Sequence, residues 1–367
     1  MEYKKIKAVE NIFKINFAIK ETEKVLVFSD NYNESTQKIG NMVFETGKKF
    51  TAHIKYYKYT STGCHGMEPP EDIWAEAFGK NAYEALKKKK LFEPILLKKT
   101  TKKQIDDIES IMRRYKNEAV NIVIALSYYS TSHTKFRDLL NRVCGARYAS
   151  MPLFDEAMLS GPMTVNWGNM KEITKKIAKR INNCERIQVE TTNGTWIILS
   201  KKGREAKIDT GSISEPGQFS NLPAGEVYFA PLEGTATGRL VLEWAPTRKL
   251  KSPVILHVEN GEVKTIEGRE KYIEYLKEKF SEKKENRNIA ELGIGTNNKA
   301  SRPDNILEAE KMLGTVHVAL GDNSSFGGKV RTSFHQDFIV FKPTVTLIYK
   351  KGIKRKLMDN GKLLFKN

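Results

Sequence analysis

The chain is poor in the residues that most often build a disulfide or zinc scaffold. Its 367 residues include three cysteines, Cys64, Cys144 and Cys184. The count is odd and no CxxC spacing occurs, which argues against a disulfide framework or a structural zinc knuckle and for a reducing compartment. Long apolar runs are missing too. No stretch approaches the about 18 residues that a membrane-spanning helix needs. The opening MEYKKIKAVENIFKINF lacks an apolar signal core, so a cytoplasmic protein is expected. Histidine is scarce, with six in the chain.

Acidic charge is in deficit as well. The net charge is +18 and the pI about 9.5. Such a balance suits an anionic partner. The basic residues are spread, however, with local runs at 87–90 and 98–103. No zinc finger, RNA-binding aromatic signature or basic heptad accompanies them, so a nucleic-acid partner is not expected. A lone Gly293-Ile294-Gly295 lacks the third glycine of a dinucleotide loop, and no P-loop is present.

What is present is sizeable. Hydrophobic residues make up 40% and aromatics 10%, enough for two cores at this length. The first half alternates helix and strand patterns. Helices are expected over 3–19, 33–49, 71–89 and 131–143, the last capped by Thr131. Strands are expected over 24–29, 55–59, 121–126 and 146–151. The alternation predicts an α/β N-terminal domain with an open, mostly parallel sheet, residues 1–165. The second half, 166–367, reads as an α+β domain. It has helices at 171–182, 269–283 and 307–312, a hairpin turning at Asn193-Gly194, and tail hairpins turning at Gly352 and Gly361.

The second domain carries the chemistry. Glu226, Glu291, His317, His335 and Asp337 all lie in apolar or glycine-rich segments. Residues two apart in a strand share a face, so His335 and Asp337 project together and Gln336 opposite. A carboxylate in apolar surroundings must find a partner, because a bare buried charge costs several kcal/mol. A divalent cation would satisfy several at once, and imidazole with carboxylate suits zinc, manganese, cobalt or iron(II). The other histidines carry little. His65 stands beside Cys64, His133 beside Ser132, and His53 and His257 stand alone.

Several long stretches resemble the aminopeptidase T family of metallopeptidases. They include STSHT from 130, GARYASMP from 145, PGQFSNLPAGEVYFAPLEGTATG from 216, NIAELGIGTN from 288, EKMLGTVHVALGDN from 310 and HQD from 335. The resemblance implies a dimeric two-domain hydrolase that releases N-terminal residues from short peptides. It implies two divalent ions, Zn, Co or Mn, held by Glu226, Glu291, His317, His335 and Asp337. A metal-activated water would lose its proton to Glu291 or Glu310 as general base. One departure stands out: Ser324, Ser325 and Phe326 occupy the region where a tyrosine is expected. The same superfamily is similar to a mononuclear iron(II) ring-opening dioxygenase of dihydroxypyridines, for which a His-His-Asp set suffices. A basic binding protein with a structural metal is the third alternative.

Overall fold

The structure, a computed structural model, describes residues 2–364. The described residues form a mixed α/β fold with one parallel and two antiparallel sheets. It divides into two compact units, Met1–Thr164 with Gly211–Pro223, and Val165–Thr210 with Ala224–Asn367. Residues 211–223 thus return to the first unit, which the expected single boundary after 165 does not include. Among the described residues, no helix is long and apolar enough to cross a membrane.

The strands, in chain order, are β1 Val25–Asp30, β2 Ile54–Tyr59, β3 Ile122–Leu126, β4 Arg147–Ser150, β5 Arg186–Glu190, β6 Trp196–Ser200, β7 Lys207–Asp209, β8 Phe219–Asn221 and β9 Glu226–Phe229. They continue with β10 Thr237–Ala245, β11 Arg248–Glu259, β12 Glu262–Glu267, β13 Ile289–Gly295, β14 Thr315–Gly321, β15 His335–Phe341, β16 Thr344–Ile348, β17 Lys354–Asp359 and β18 Lys362–Leu363.

The first unit is built on a parallel sheet in the order β2-β1-β3-β4-β8. Both β1 and β3 are buried along their whole length, as strands covered on both faces must be. Two helix expectations need correction. The single helix over 71–89 is two, Glu71–Phe78 and Lys80–Lys88, because Gly79 at φ 90° breaks the backbone between them. The helix Lys135–Arg142 is capped by Thr134, not Thr131, since the Thr134 hydroxyl accepts from the Arg137 amide. Helix Lys102–Tyr115 is unexpected, although Thr101 and Gln104 form a capping box at its start.

The second unit holds an eight-stranded sheet, β12-β11-β10-β6-β5-β16-β17-β18, and a five-stranded one, β15-β14-β13-β9-β7. The smaller sheet decides where function can sit. One of its faces contributes Val227, Phe229, Leu292, Ile294, Val316, Val318, Leu320, Phe338 and Val340 to a single core. Each such side chain, fully buried, is worth about 1.5–3 kcal/mol. That burial fixes register, because a slip by one residue would turn every one of them outward. The other face is thereby left with a defined set of side chains.

Candidate metal centre

Register places the five sequence candidates on that second face. Asp209 on β7 lies opposite Glu226 on β9, which lies opposite Gly295 on β13. The next row runs Tyr228, Gly293, His317. The row after it runs Glu291, Ala319, Asp337, and Gly321 then faces His335. Between the functional side chains stand Gly293, Gly295, Ala319 and Gly321. Small residues there open a hollow into which imidazole and carboxylate groups reach.

The groups converge. His317 Nε2 is 3.3 Å from Glu226 Oε2 and 3.3 Å from Glu291 Oε1. His335 Nε2 is 3.7 Å from Glu291 Oε2 and 3.6 Å from Asp337 Oδ2. Glu291 thus lies between the two imidazoles. Among the described residues, two sets of three could hold a metal ion, Glu226–Glu291–His317 and Glu291–His335–Asp337, each with donor atoms within 4.8 Å of one another. Donors that share one ion at about 2.0–2.2 Å stand roughly 3–3.5 Å apart, so the spacing and the donor chemistry both fit a divalent cation. His335 Nδ1 lies 2.7 Å from the Asp322 carbonyl oxygen. A proton on Nδ1 donated there fixes the ring and leaves Nε2 for the carboxylate cluster.

Electrostatics follow from this crowding. Burial alone would hold both imidazoles neutral, but the carboxylates outweigh it. Glu291 and Glu226 lift His317 to about 9. Asp337 and Glu291 lift His335 to about 10. Asp337 is buried, yet His335 draws it down to about 2. Burial raises Glu310 above the ordinary carboxylate range, and Lys311 pulls the other way. Burial opposes the charge on Lys311 too, but Glu226, Glu310 and Asp209 hold that ammonium protonated.

Two residues near the cluster were missed in the sequence. Lys311 is fully buried, with Nζ 2.7 Å from Glu226 Oε1 and 2.6 Å from Glu310 Oε1. Tyr228 stands two residues after Glu226 on the same strand face, a spacing that could have found it. Burial, followed by Glu226 and Glu291, raises its phenol well above the ordinary value. Phe326 packs edge-on to Tyr228 at 5.6 Å and to His335 at 6.0 Å. The Ser324 hydroxyl donates to the Asp322 carboxylate at 3.1 Å instead of facing the imidazoles. His53, His65, His133 and His257 belong to neither set of donors.

Comparison with known proteins gives the family. Residues 145–360, more than half of the chain and all five candidates, match the family described as NicX: 2,5-dihydroxypyridine 5,6-dioxygenase. A solved 2,5-dihydroxypyridine dioxygenase from Pseudomonas putida KT2440 has a similar fold, with TM-score 0.71 and 18% identity over 98% of this chain and 96% of that one. Wild-type AmpT from Thermus thermophilus is similar with TM-score 0.57 and 12% identity, over 99% of this chain and 100% of the other. Such identities speak for the fold alone. No curated protein matches the chain.

The family match overturns the metallo-aminopeptidase expectation. The enzyme class is oxidoreductase, not hydrolase, and a short peptide is not the substrate. Glu310, one of the two expected general bases, has its Oε1 2.6 Å from Lys311 Nζ and belongs to neither donor set. Of the metal expectation, three-residue donor sets able to hold an ion are what the structure supports.

Proposed function

The chain belongs to the 2,5-dihydroxypyridine 5,6-dioxygenase family, and from that premise we propose that it is an iron(II)-dependent dioxygenase that opens the ring of a dihydroxylated pyridine. The observation that carries the proposal is the convergence of His317, His335 and Asp337 about Glu291 on one sheet face. Two histidines and a carboxylate with open positions are the ligand set of non-haem iron(II) oxygenases. All of these residues lie in the second unit, which we take as the catalytic domain.

We assign His317 from one donor set and His335 and Asp337 from the other as the iron ligands, with Glu291, which both sets share, as the carboxylate beside them. Iron(II) held there would supply the redox chemistry that adds one atom of O2 to C5 and the other to C6 as the C5–C6 bond breaks. The protein's own groups do the rest. The Asp322 carbonyl holds His335 in one orientation. Gly293, Ala319 and Gly321 keep the hollow open. Tyr228 and Phe326 offer aromatic surface beside the imidazoles, suited to a planar ring. The Tyr228 phenol stays protonated at neutral pH, so it can donate a hydrogen bond to a ring oxygen.

The test is direct. Protein purified without oxygen, loaded with Fe(II) and given 2,5-dihydroxypyridine in air should abolish the near-UV absorption of the ring. Chelated protein and His335→Ala should leave it intact. An Fe(II)-loaded wild type that leaves the ring untouched contradicts the proposal.

A further inference from the structure

The two candidate donor sets share Glu291. A carboxylate shared between two such sets is the arrangement that places two ions about 3.5–4 Å apart. Sequence and sheet register alone would therefore allow a dinuclear centre. Lys311 changes this. Its side chain is 0% exposed, and Nζ lies 2.7 Å from Glu226 Oε1 and 2.6 Å from Glu310 Oε1. We infer that the Lys311 ammonium is a built-in cation that reserves the Glu226 side of the cluster, so that the chain binds one divalent ion and not two. The inference rests on the reading of this cluster as a metal site.

Charge balance is the first argument. Glu226, Glu291, Glu310 and Asp337 bring four carboxylates into one buried region, against His317 and His335. Buried carboxylates require cationic partners. One divalent ion near Glu291 serves Asp337 and the imidazoles. Lys311 serves Glu226 and Glu310. A second dication on Glu226 would meet a fixed positive charge across a few ångströms of dry interior, where repulsion is strong. It would also find Glu226 Oε1 already taken.

Rigidity is the second argument, because a lysine that could swing away would reserve nothing. The Lys311 carbonyl accepts from the Asn297 amide at 2.8 Å, and its amide donates to the Glu308 carbonyl at 3.0 Å. The 311–312 backbone also packs directly onto Gly295. A Cβ built there would lie 2.1 Å from the Met312 carbonyl oxygen and 2.7 Å from the Lys311 carbonyl carbon. Glycine at 295 lets the segment come that close, and the ammonium is delivered to Glu226 from a pinned backbone.

The experiment counts ions. Metal-free protein is titrated with Mn(II), bound metal per chain is measured by equilibrium dialysis, and the spin signal reports whether bound ions are coupled. Wild type should bind one Mn(II) per chain with an uncoupled signal. Lys311→Met should bind two, with the coupled signal of neighbouring ions. Lys311→Arg, which keeps the charge, should stay at one, and Lys311→Met with Glu226→Gln should return to one. Two coupled ions in wild type, or one in a folded Lys311→Met, overturn the inference. If Lys311→Met folds only with Mn(II), two ions per folded chain support the inference and one overturns it. Failure to fold even then also overturns it, since a dication is held to replace the ammonium. No ion at all in wild type would instead defeat the metal-site reading beneath it.

Discussion

The imidazole of His317 fills the space that a side chain on Gly293 would need. The two residues face each other across β13 and β14, and a Cβ on Gly293 would lie 1.9 Å from His317 Nε2. The glycine therefore decides whether the histidine can reach Glu226 and Glu291. Gly293→Ala should push the ring away at a cost of about 1–3 kcal/mol in overpacking. Iron content per chain should fall and ring opening should drop by roughly 10²-fold or more, with far-UV circular dichroism unchanged. Full iron occupancy with wild-type turnover would refute the role given to Gly293.

Glu291 lies between the two imidazoles, and its charge should matter more than its shape. Replacement of outer partners of metal ligands costs about 10–100-fold in metal affinity. Glu291→Gln should lose at least that much affinity for Fe(II), measured by competition with a chromophoric chelator, while keeping its melting temperature in chelator within a few degrees of wild type. Unchanged affinity would remove Glu291 from the centre.

The metal-free protein should lose stability as pH rises, while the gain from bound metal grows. The folded values of His317 and His335 are raised from 6.5 to about 9 and about 10, burial being outweighed by carboxylate neighbours. A raised imidazole stabilises the fold fully below pH 6.5 and loses that contribution as pH climbs through the folded value. The melting temperature of chelated protein should therefore decline between pH 6.5 and pH 10. Metal must displace the same protons, so the stabilisation from added Mn(II) should grow over that window. A flat gap between chelated and loaded melting curves would contradict the assignment of both imidazoles.

Phe326 tests the aromatic surface apart from the metal. It contacts His335 and Tyr228 but offers no ligand atom. An aromatic pair contributes about 0.5–1.5 kcal/mol. Phe326→Ala should raise KM for the dihydroxypyridine by roughly 2–10-fold, with iron content unchanged. An unaltered KM would place the ring elsewhere.

Much of the fold was legible because local pattern and burial agree. The alternation in β13, β14 and β15 sends apolar residues to the core and leaves Glu291, His317, His335 and Asp337 on the opposite face. The i, i+2 spacing of His335 and Asp337 could be read from strand geometry alone. Lys311 could not, because its burial depends on a non-local approach of its backbone to Gly295 and Asn297. Glu310 looked like a free carboxylate for the same reason. The return of 211–223 to the first unit carries no local signal, since β8 is a three-residue strand that pairs with β4. The metallo-aminopeptidase reading failed for a different cause, while the ring-opening dioxygenase alternative is the one the family match supports. Motifs that position Glu226, Glu291, His317, His335 and Asp337 define a fold and a donor face, and one fold hosts more than one chemistry.

The central claim is that oxygen from O2, not from water, enters the substrate. Fe(II)-loaded protein should be given 2,5-dihydroxypyridine under ¹⁸O2 and the ring-opened product analysed by mass spectrometry. Two labelled atoms per product molecule are expected, with none when the label is supplied as water and exchange is controlled. Product labelled only from water, or carrying one atom from O2, would contradict a dioxygenase built on His317, His335 and Asp337.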